Sequence, residues 1–540
     1  MLPPNVGQDV FDRAIAEFRQ ALGDEWVYTE EADVALYRDA YSPFYGEAED
    51  RVASAAVAPA STEEVQEVVR IANRHAIPIY PISTGKNLGY GGSAPNLSGS
   101  VVVDLARMNT ILAVDDVRHF ALVEPGVSYF DLYNHIEEHN LDVWIDCPDP
   151  GWGSLVGNAL DHGVGYTGSN YRNHFDAHCG LEVVLPDGSL MRTGMGALPD
   201  TDTWQDFKMG YGPMTAGLFG QGNYGIVTKM GFWLMSKPKG FFVGRVSMKR
   251  FGDMIPLVRT LNYLENSGII SGIPWFSSPA LGGYDTAEDR EVLHMVAESI
   301  DGDYAQLDGH LLSGDKPCWT LELMFYGPQE IVTAQWEFAK RMFRDAVGDA
   351  VFEEPGMQPL APVENPPAEG RLVNYGIPNL EVFYLGARSE AFPRPSDGHM
   401  WLSPVIPRTG EALLHSQAVW ARFTLDNDYY MGSNVMIPMA FAPRSFMFII
   451  PVFLAKDPQV NRRGRQILRK AIEVCTANGW SEYRTPPAFQ DLVMEQQSFG
   501  DHAHRRFCER IKDAIDPKGI IAAGRYGIWP EHMRGEPVNG

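Results

Sequence analysis

Pro81-Ile82-Ser83-Thr84-Gly85-Lys86-Asn87-Leu88-Gly89-Tyr90-Gly91-Gly92-Ser93-Ala94-Pro95 decides the reading of this chain. The apolar run Ile77 to Ile82 leads into it and predicts a buried strand. Gly85, Gly89, Gly91 and Gly92 let successive backbone N–H groups turn inward, which makes a concave nest for an anion. Ser83, Thr84, Asn87 and Ser93 add donors, and Lys86 adds charge. Such a loop suits a pyrophosphate. It is not a Walker loop, because no Gly-Lys-Ser/Thr closes it ahead of a helix. Glycine clusters by themselves mark ordinary turns more often than ligand sites, so the flanking segments carry the decision.

Upstream, residues 1–50 read as a helical lead-in, with Phe11, Ala14, Ile15 and Phe18 at helical spacing. Ala53 to Pro59 predicts a strand, and Ser61-x-x-Glu64 a capping box. Val65, Val68, Val69 and Ala72 then share one helical face, and Pro78 stops that helix. Downstream, Ser100–Leu105, Ile111–Val114 and Phe120–Glu124 predict short strands, and Ser128-x-x-Asp131 opens a second capped helix. A second stretch of Gly and small polar residues runs from Cys147 to Thr167, as expected if the chain wraps one extended ligand. Leu181–Leu185 and Ser189–Thr193 predict a hairpin through Asp187-Gly188, and Gly225–Met235 another strand. Gly220-x-Gly222-x-x-Gly225 matches a dinucleotide fingerprint in spacing only, since a strand follows it where the fingerprint needs a helix.

Beyond Ser236-Lys-Pro-Lys-Gly240 the pattern changes to long strands, each followed by a long amphipathic helix. The strands are Phe241–Met248, Trp319–Tyr326, Met400–Ile406 and Phe446–Leu454, and the helices lie near 250–266, 328–346, 410–425 and 458–478. This predicts an antiparallel sheet with helices on one face. Residues 353–370 read as a surface loop, and the tail Ala514–Pro530 returns to the glycine-rich style of the first half.

At 540 residues, 45% hydrophobic and 21% charged, the chain is long enough for two or three domains of an ordinary globular enzyme. A formal net charge of -25 argues against nucleic-acid and anionic-membrane partners. No basic region followed by an apolar one opens the chain, so no signal peptide is expected, and the expected location is cytoplasmic. Cys147, Cys179, Cys318, Cys475 and Cys508 are scattered without CxxC spacing, which predicts free thiols and no zinc site.

Three further places stand out. His399 begins a strand in Asp397-Gly-His-Met-Trp-Leu-Ser-Pro404; a lone histidine is more often structural than chemical. Asp149 lies beside prolines, where an aspartate usually forms a turn. Tyr483-Arg484 is a pair that most often only packs.

The order of motifs changes that balance. The glycine loop, Gly153-Ser-Leu-Val-Gly-Asn158, Gly163-Val-Gly-Tyr-Thr167, Arg192-Thr-Gly-Met-Gly-Ala197, Gly225-Ile-Val-Thr-Lys229, Glu482-Tyr-Arg-Thr485 and Ile520-Ile-Ala-Ala-Gly-Arg525 together resemble the vanillyl-alcohol oxidase and 4-cresol dehydrogenase flavoenzymes, a family that includes eugenol oxidase and acts on para-substituted phenols. The resemblance implies an α+β fold: a two-lobed FAD-binding domain over residues 1–236, an α+β cap with an antiparallel sheet over 237–499, and a segment 500–540 that returns to the first domain. It implies FAD held by Pro81 to Leu88, by Ser154, Gly157, Asn158, Gly163, Gly165, Tyr166 and Glu182, by Gly225, Ile226 and Val227, and by Arg525. His399 matches the family's covalent attachment histidine, and Tyr384 lies where the cresol dehydrogenases use a tyrosine instead. Tyr90, Tyr483 and Arg484 match the residues that surround the phenol oxygen, and Asp149 the active-site aspartate.

The implied activity is FAD-dependent oxidation of para-substituted phenols through a p-quinone methide, with O2 as acceptor and a homodimer as the assembly. The alternatives are a dehydrogenase passing electrons to a cytochrome or copper protein, an idle FAD- or phenol-binding protein, and a lactate- or sugar-type flavoenzyme. Two departures stand against the family pattern. Pro150 replaces a leucine, and Gly168–His178 replaces a shorter Pro-Tyr-Gly-Asp-His segment, with Asn173-His174 in the place of its Asp-His pair.

Overall fold

The computed structural model describes residues 1–168, 171, 173–281, 286–354, 356–358, 371–384, 398–429 and 439–535. The apolar run ahead of the glycine loop forms the strand Ile79–Ile82. It pairs in parallel with Val101–Asp104, which pairs in parallel with Ala55–Val57, and Val27–Tyr28 adds an antiparallel edge. Parallel neighbours need a crossover, and the helix Thr62–His75 provides it. Ser61 Oγ accepts the Glu64 N–H at 3.2 Å, while the Glu64 carboxylate accepts the Ala60 N–H at 2.7 Å, so the predicted cap closes one residue early. Val65, Val68, Val69 and Ala72 are fully buried in a core shared with the helix Gln8–Leu22.

A second sheet is wholly antiparallel, in the order Ile111–Asp115, Phe120–Val123, Ile226–Trp233, His178–Val184, Leu190–Arg192. Both halves of the Ser128/Asp131 capping box form at the helix Tyr129–Glu138. Each sheet has its own apolar core.

The third sheet runs Trp275–Ser277, Trp319–Tyr326, Phe241–Met248, Val351–Glu353, all antiparallel. Its core takes in the helices Met254–Asn266, Gln329–Ala346 and Gly410–Asn427. The helices Ala287–Glu298 and Ala305–Ser313 join it, although the sequence pattern does not announce them. Two of the predicted strands are each broken in two. Gly398–Leu402 and Pro404–Pro407 are separated by Ser403, and Ser445–Met447 and Ile450–Leu454 stand opposite them. Pro404 has no N–H to continue the ladder, and this break leaves Ser403 free to turn toward the glycine loop. Most of the predicted 353–370 loop lies outside the described residues.

After the helix Phe499–Ile515 the chain crosses back to the first sheet. Ile79 N–H donates to the Ile520 carbonyl at 2.7 Å, and Ala522 N–H to the Ile79 carbonyl at 2.8 Å. Lys512, fully buried, pins this return: its Nζ donates to Asp516 at 2.7 Å, to the Asn223 carbonyl at 2.8 Å and to the Ile521 carbonyl at 2.6 Å. Among the described residues no helix is long and apolar enough to cross a membrane, and no cluster of His, Cys, Asp or Glu is arranged to hold a metal ion.

Candidate active site

The glycine loop, the small-residue stretch and the returning tail enclose a cavity of ≈ 1080 Å³ that opens to solvent. One wall is Pro81 to Asn87; Ser154, Gly157 and Asn158 form the next. Gly225, Ile226 and Val227 follow, and Arg525 closes the ring from the tail. The loop is built for close approach. Gly85 has φ +66, and a Cβ there would collide with Ser93 Oγ; a Cβ on Gly157 would collide with Ser83 Oγ. Gln221, Gly222 and Asn223 of the rejected fingerprint also line the cavity.

Besides His399, five residues expected at the cofactor do not line this cavity. Leu88 lies just past the wall, where its carbonyl accepts the Trp401 indole N–H at 3.2 Å. Gly163 and Gly165 pack against the side chains of Asn158 and Asp146. Glu182 is buried between Lys229 and Arg192, each 2.8 Å away, and their pull holds its carboxyl below the ordinary value against the effect of burial. Tyr166 is nearer the chemistry: its ring stacks on Trp275 at 5.7 Å, and both Asp149 and Tyr483 are close enough to influence its ionisation.

Tyr90, Tyr483 and Arg484 come together. The Arg484 guanidinium lies 3.8 Å above the Tyr90 ring. Its Nη2 donates to Asn87 Oδ1 at 2.7 Å and to Asp161 Oδ2 at 2.8 Å, while Nε is buried with no partner. The Tyr483 hydroxyl is close to both Tyr90 and Arg484 but is satisfied by neither. Burial pushes both phenols above their ordinary pKa, and Arg484 pulls the other way.

Asp161 is the residue the sequence reading missed. It is the one carboxylate among the described residues lining the cavity. Besides Arg484 it accepts from Arg525 Nη2, from the Tyr526 hydroxyl and from Asn87 Nδ2, each at 2.7 Å. Burial alone would raise its pKa, but Arg484 and Arg525 hold it below the ordinary value. It thus fixes both arginines on one anion. An acid inside the otherwise apolar and glycine-rich run 153–167 was the available signal.

Asp149 stands near Tyr166. Val382 N–H donates to its carboxylate, and Oδ1 is buried without a partner. Burial pushes this carboxyl up to about 6. Arg371, whose guanidinium sits 4.3 Å from the Trp275 ring, pulls it slightly back. His399 is 3% exposed and does not line the cavity; its ring packs between Tyr41 and Trp401, at 4.9 and 4.1 Å, against Gly89. Burial pushes its pKa down to about 3, so the imidazole is neutral. The Tyr384 side chain lies outside the described residues. Asn173 caps the short helix His174–Ala177, and His174 is fully buried, with Nδ1 2.8 Å from the Tyr129 hydroxyl. His174 Nδ1 also meets Asn158, a residue of the cavity wall.

Residues 53–194 match a family model described as an FAD binding domain. The flavoprotein subunit of 4-cresol dehydrogenase [hydroxylating] from Pseudomonas putida is 35% identical over 538 residues, 98% of each chain. The chain belongs to the vanillyl-alcohol oxidase/4-cresol dehydrogenase family. Two solved members have the same fold over almost their whole length. The 4-ethylphenol oxidase from Gulosibacter chungangensis, in complex with isoeugenol, superposes with a TM-score of 0.82 at 31% identity, covering 99% of this chain and 100% of that one. Substrate-bound p-cresol methylhydroxylase gives 0.81 at 33%, covering 98% and 99%. This member of the vanillyl-alcohol oxidase/4-cresol dehydrogenase family is an FAD-dependent flavoenzyme. The cavity fits that cofactor: a loop with Gly85 and Gly92 for close approach to the pyrophosphate, Lys86 for its charge, and Arg525 held at one wall by Asp161.

Proposed function

We propose that the protein oxidises para-substituted phenols, such as 4-alkylphenols and 4-hydroxybenzylic alcohols, at the carbon attached para to the hydroxyl. FAD, when bound, supplies the acceptor for the hydride that leaves this Cα. The observation that carries the reading is a set of buried polar atoms without partners: Arg484 Nε, the Tyr483 hydroxyl and Asp149 Oδ1. Buried polar groups are nearly always satisfied, so a ligand with a polar oxygen at each end of an apolar body is what this site wants. Val164, Ile273 and Met447, packed around Tyr166 and Tyr483, supply the apolar surroundings.

The chemistry follows from charge. A phenol ionises near ~10 in water, and a guanidinium with two hydroxyl donors favours the phenolate. Phenolate pushes electron density to the para carbon, so hydride loss from Cα leaves a neutral p-quinone methide rather than a benzylic cation. Asp149 then takes the proton of the water that adds to Cα, or of the substrate alcohol when an aldehyde forms. A carboxylate whose pKa lies near 6 suits a base working near neutral pH. Anaerobic mixing with a 4-alkylphenol is expected to bleach the yellow enzyme; unchanged absorbance would leave only an FAD- or phenol-binding protein.

We assign O2 as the acceptor, giving H2O2. A redox-protein acceptor is the second reading, favoured by the likeness to a flavoprotein subunit of a dehydrogenase. Slow reoxidation of the reduced enzyme in air would decide for it. His399 is assigned as the covalent tether to the flavin, since its imidazole is neutral and packs against Gly89 of the loop. Acid-precipitated wild-type protein is expected to give a yellow pellet, and His399→Ala a colourless one with the yellow in the supernatant. A yellow pellet from the variant would move the tether elsewhere.

A further inference from the structure

Asp161 ends the helix Leu155–Leu160 and lines the cofactor cavity. An acid is poorly placed at the C-terminal, negative end of a helix, and at 3% exposure it also gives up its hydration. Local structure therefore gives no reason for a carboxylate here. Its two oxygens serve different neighbours. Oδ2 accepts from Arg484 Nη2 at 2.8 Å and from Asn87 Nδ2 at 2.7 Å. Oδ1 accepts from Arg525 Nη2 and from the Tyr526 hydroxyl, both at 2.7 Å. Asn87 Oδ1 in turn accepts from Arg484 Nη2 at 2.7 Å, so Asp161, Asn87 and Arg484 close a triangle. Tyr526 reaches Asp161 from a left-handed backbone, φ +53, which a tyrosine rarely adopts. Such outliers gather at functional sites, where the surroundings hold them in place.

This carboxylate acts on a bound phenol in two ways of opposite sign. Its charge opposes a phenolate, because it offsets part of the positive charge of Arg484 and Arg525. Its geometry favours one. With Nη2 held by Asp161 and Asn87, the guanidinium stays 3.8 Å above the Tyr90 ring and leaves Nε, buried without a partner, as the donor for a ligand. Donors stabilise an oxyanion most when they are aimed before it forms, and a guanidinium free to turn loses that aim. An ion pair buried for stability alone gains little over apolar packing. His162 and Tyr483 also sense the charge of Asp161, and neither is a base that could replace its hold on the arginines.

We propose that Asp161 is a positioning residue for phenol oxidation: it aims Arg484 Nε at the substrate oxygen, and this aim favours the phenolate by more than the carboxylate's own charge opposes it. The proposal rests on the phenol reading above. Through its other oxygen the same carboxylate holds Arg525, whose Nη1 donates to the Tyr80 hydroxyl at 2.8 Å, and both of these residues line the cofactor cavity. The phenol clamp is thus anchored on the cofactor wall as well as on the strand that carries Glu482.

The test is fluorine NMR of 4-fluorophenol on the FAD-loaded enzyme. Its resonance moves on ionisation, and the molecule has no Cα hydrogen to lose. In the wild type the bound phenol is expected to ionise at a lower pH than in free solution. In Asp161→Ala that titration should move up by at least about one pH unit, tenfold in the ionisation constant, although a negative charge has been removed. Tyr90, Tyr483 and Glu482 at the clamp, and Asp149 and Tyr166 near it, titrate in both proteins, so the difference between them reports Asp161. A titration at or below the wild-type pH would overturn the positioning role and leave Asp161 only as a counter-charge. Asp161→Glu keeps the charge but carries the carboxylate one methylene further; it should also titrate higher, and the same criterion applies to it should the alanine variant not fold. A resonance that the wild type never shifts at any pH would instead remove the phenol reading itself, and the positioning role with it.

Discussion

Arg484→Ala is expected to lower kcat/KM for an unactivated 4-alkylphenol by roughly 10²–10³-fold, the usual loss when one preorganised donor is removed from a developing oxyanion. The fold should survive. Asp161 keeps Arg525, Tyr526 and Asn87 as partners, so no carboxylate is stranded. The loss should depend on the substrate. A ring-substituted series with falling phenol pKa needs less help to ionise, so the penalty should shrink along it. Arg484→Lys should recover only part, because a lysine cannot bind Asp161 and Asn87 while presenting a second donor at the Nε position. An equal penalty across the whole series would defeat the phenolate argument.

Asp149→Asn is expected to cost roughly 10²–10⁴-fold in the chemical step, the span attributed to a positioned general base. The pH profile makes the test specific. The carboxylate is a base only when ionised, and its pKa is raised from 3.8 to about 6. Wild-type activity should therefore fall as pH drops through about 6, and the variant should lose that limb. Stability has the opposite sign. The folded protein binds this proton more tightly than the unfolded chain does, so the group's contribution is present below 3.8 and lost as pH rises through about 6. Asp149→Asn should thus be less active yet somewhat harder to unfold at neutral pH. An acid limb unchanged in the variant would assign that titration to another group.

The local grammar of the chain was legible where one residue type admits one role. The valine face of Thr62–His75, the Ser128/Asp131 cap and the glycines under the loop all stand where their spacing put them. What was not legible depended on partners far along the chain. Glu182 lies in a strand whose every residue is buried, so pattern alone did not say which face it serves, and Lys229 and Arg192 claim it. Asp161 draws its meaning from two arginines more than three hundred residues downstream. The two broken strands read as continuous because their apolar pattern is continuous; Pro404 and the change of pairing partner divide them.

The route of the tail has a consequence for biosynthesis. Ile521, Ala522 and Arg525 are part of the cavity wall, and the anchor at Lys512 precedes them by only a few residues. Domains fold as they emerge from the ribosome, N-terminal first, yet here the nucleotide's berth lacks one side until residues 521–525 have been made. A nascent chain stalled anywhere before residue 520 therefore carries no complete receptacle for the flavin.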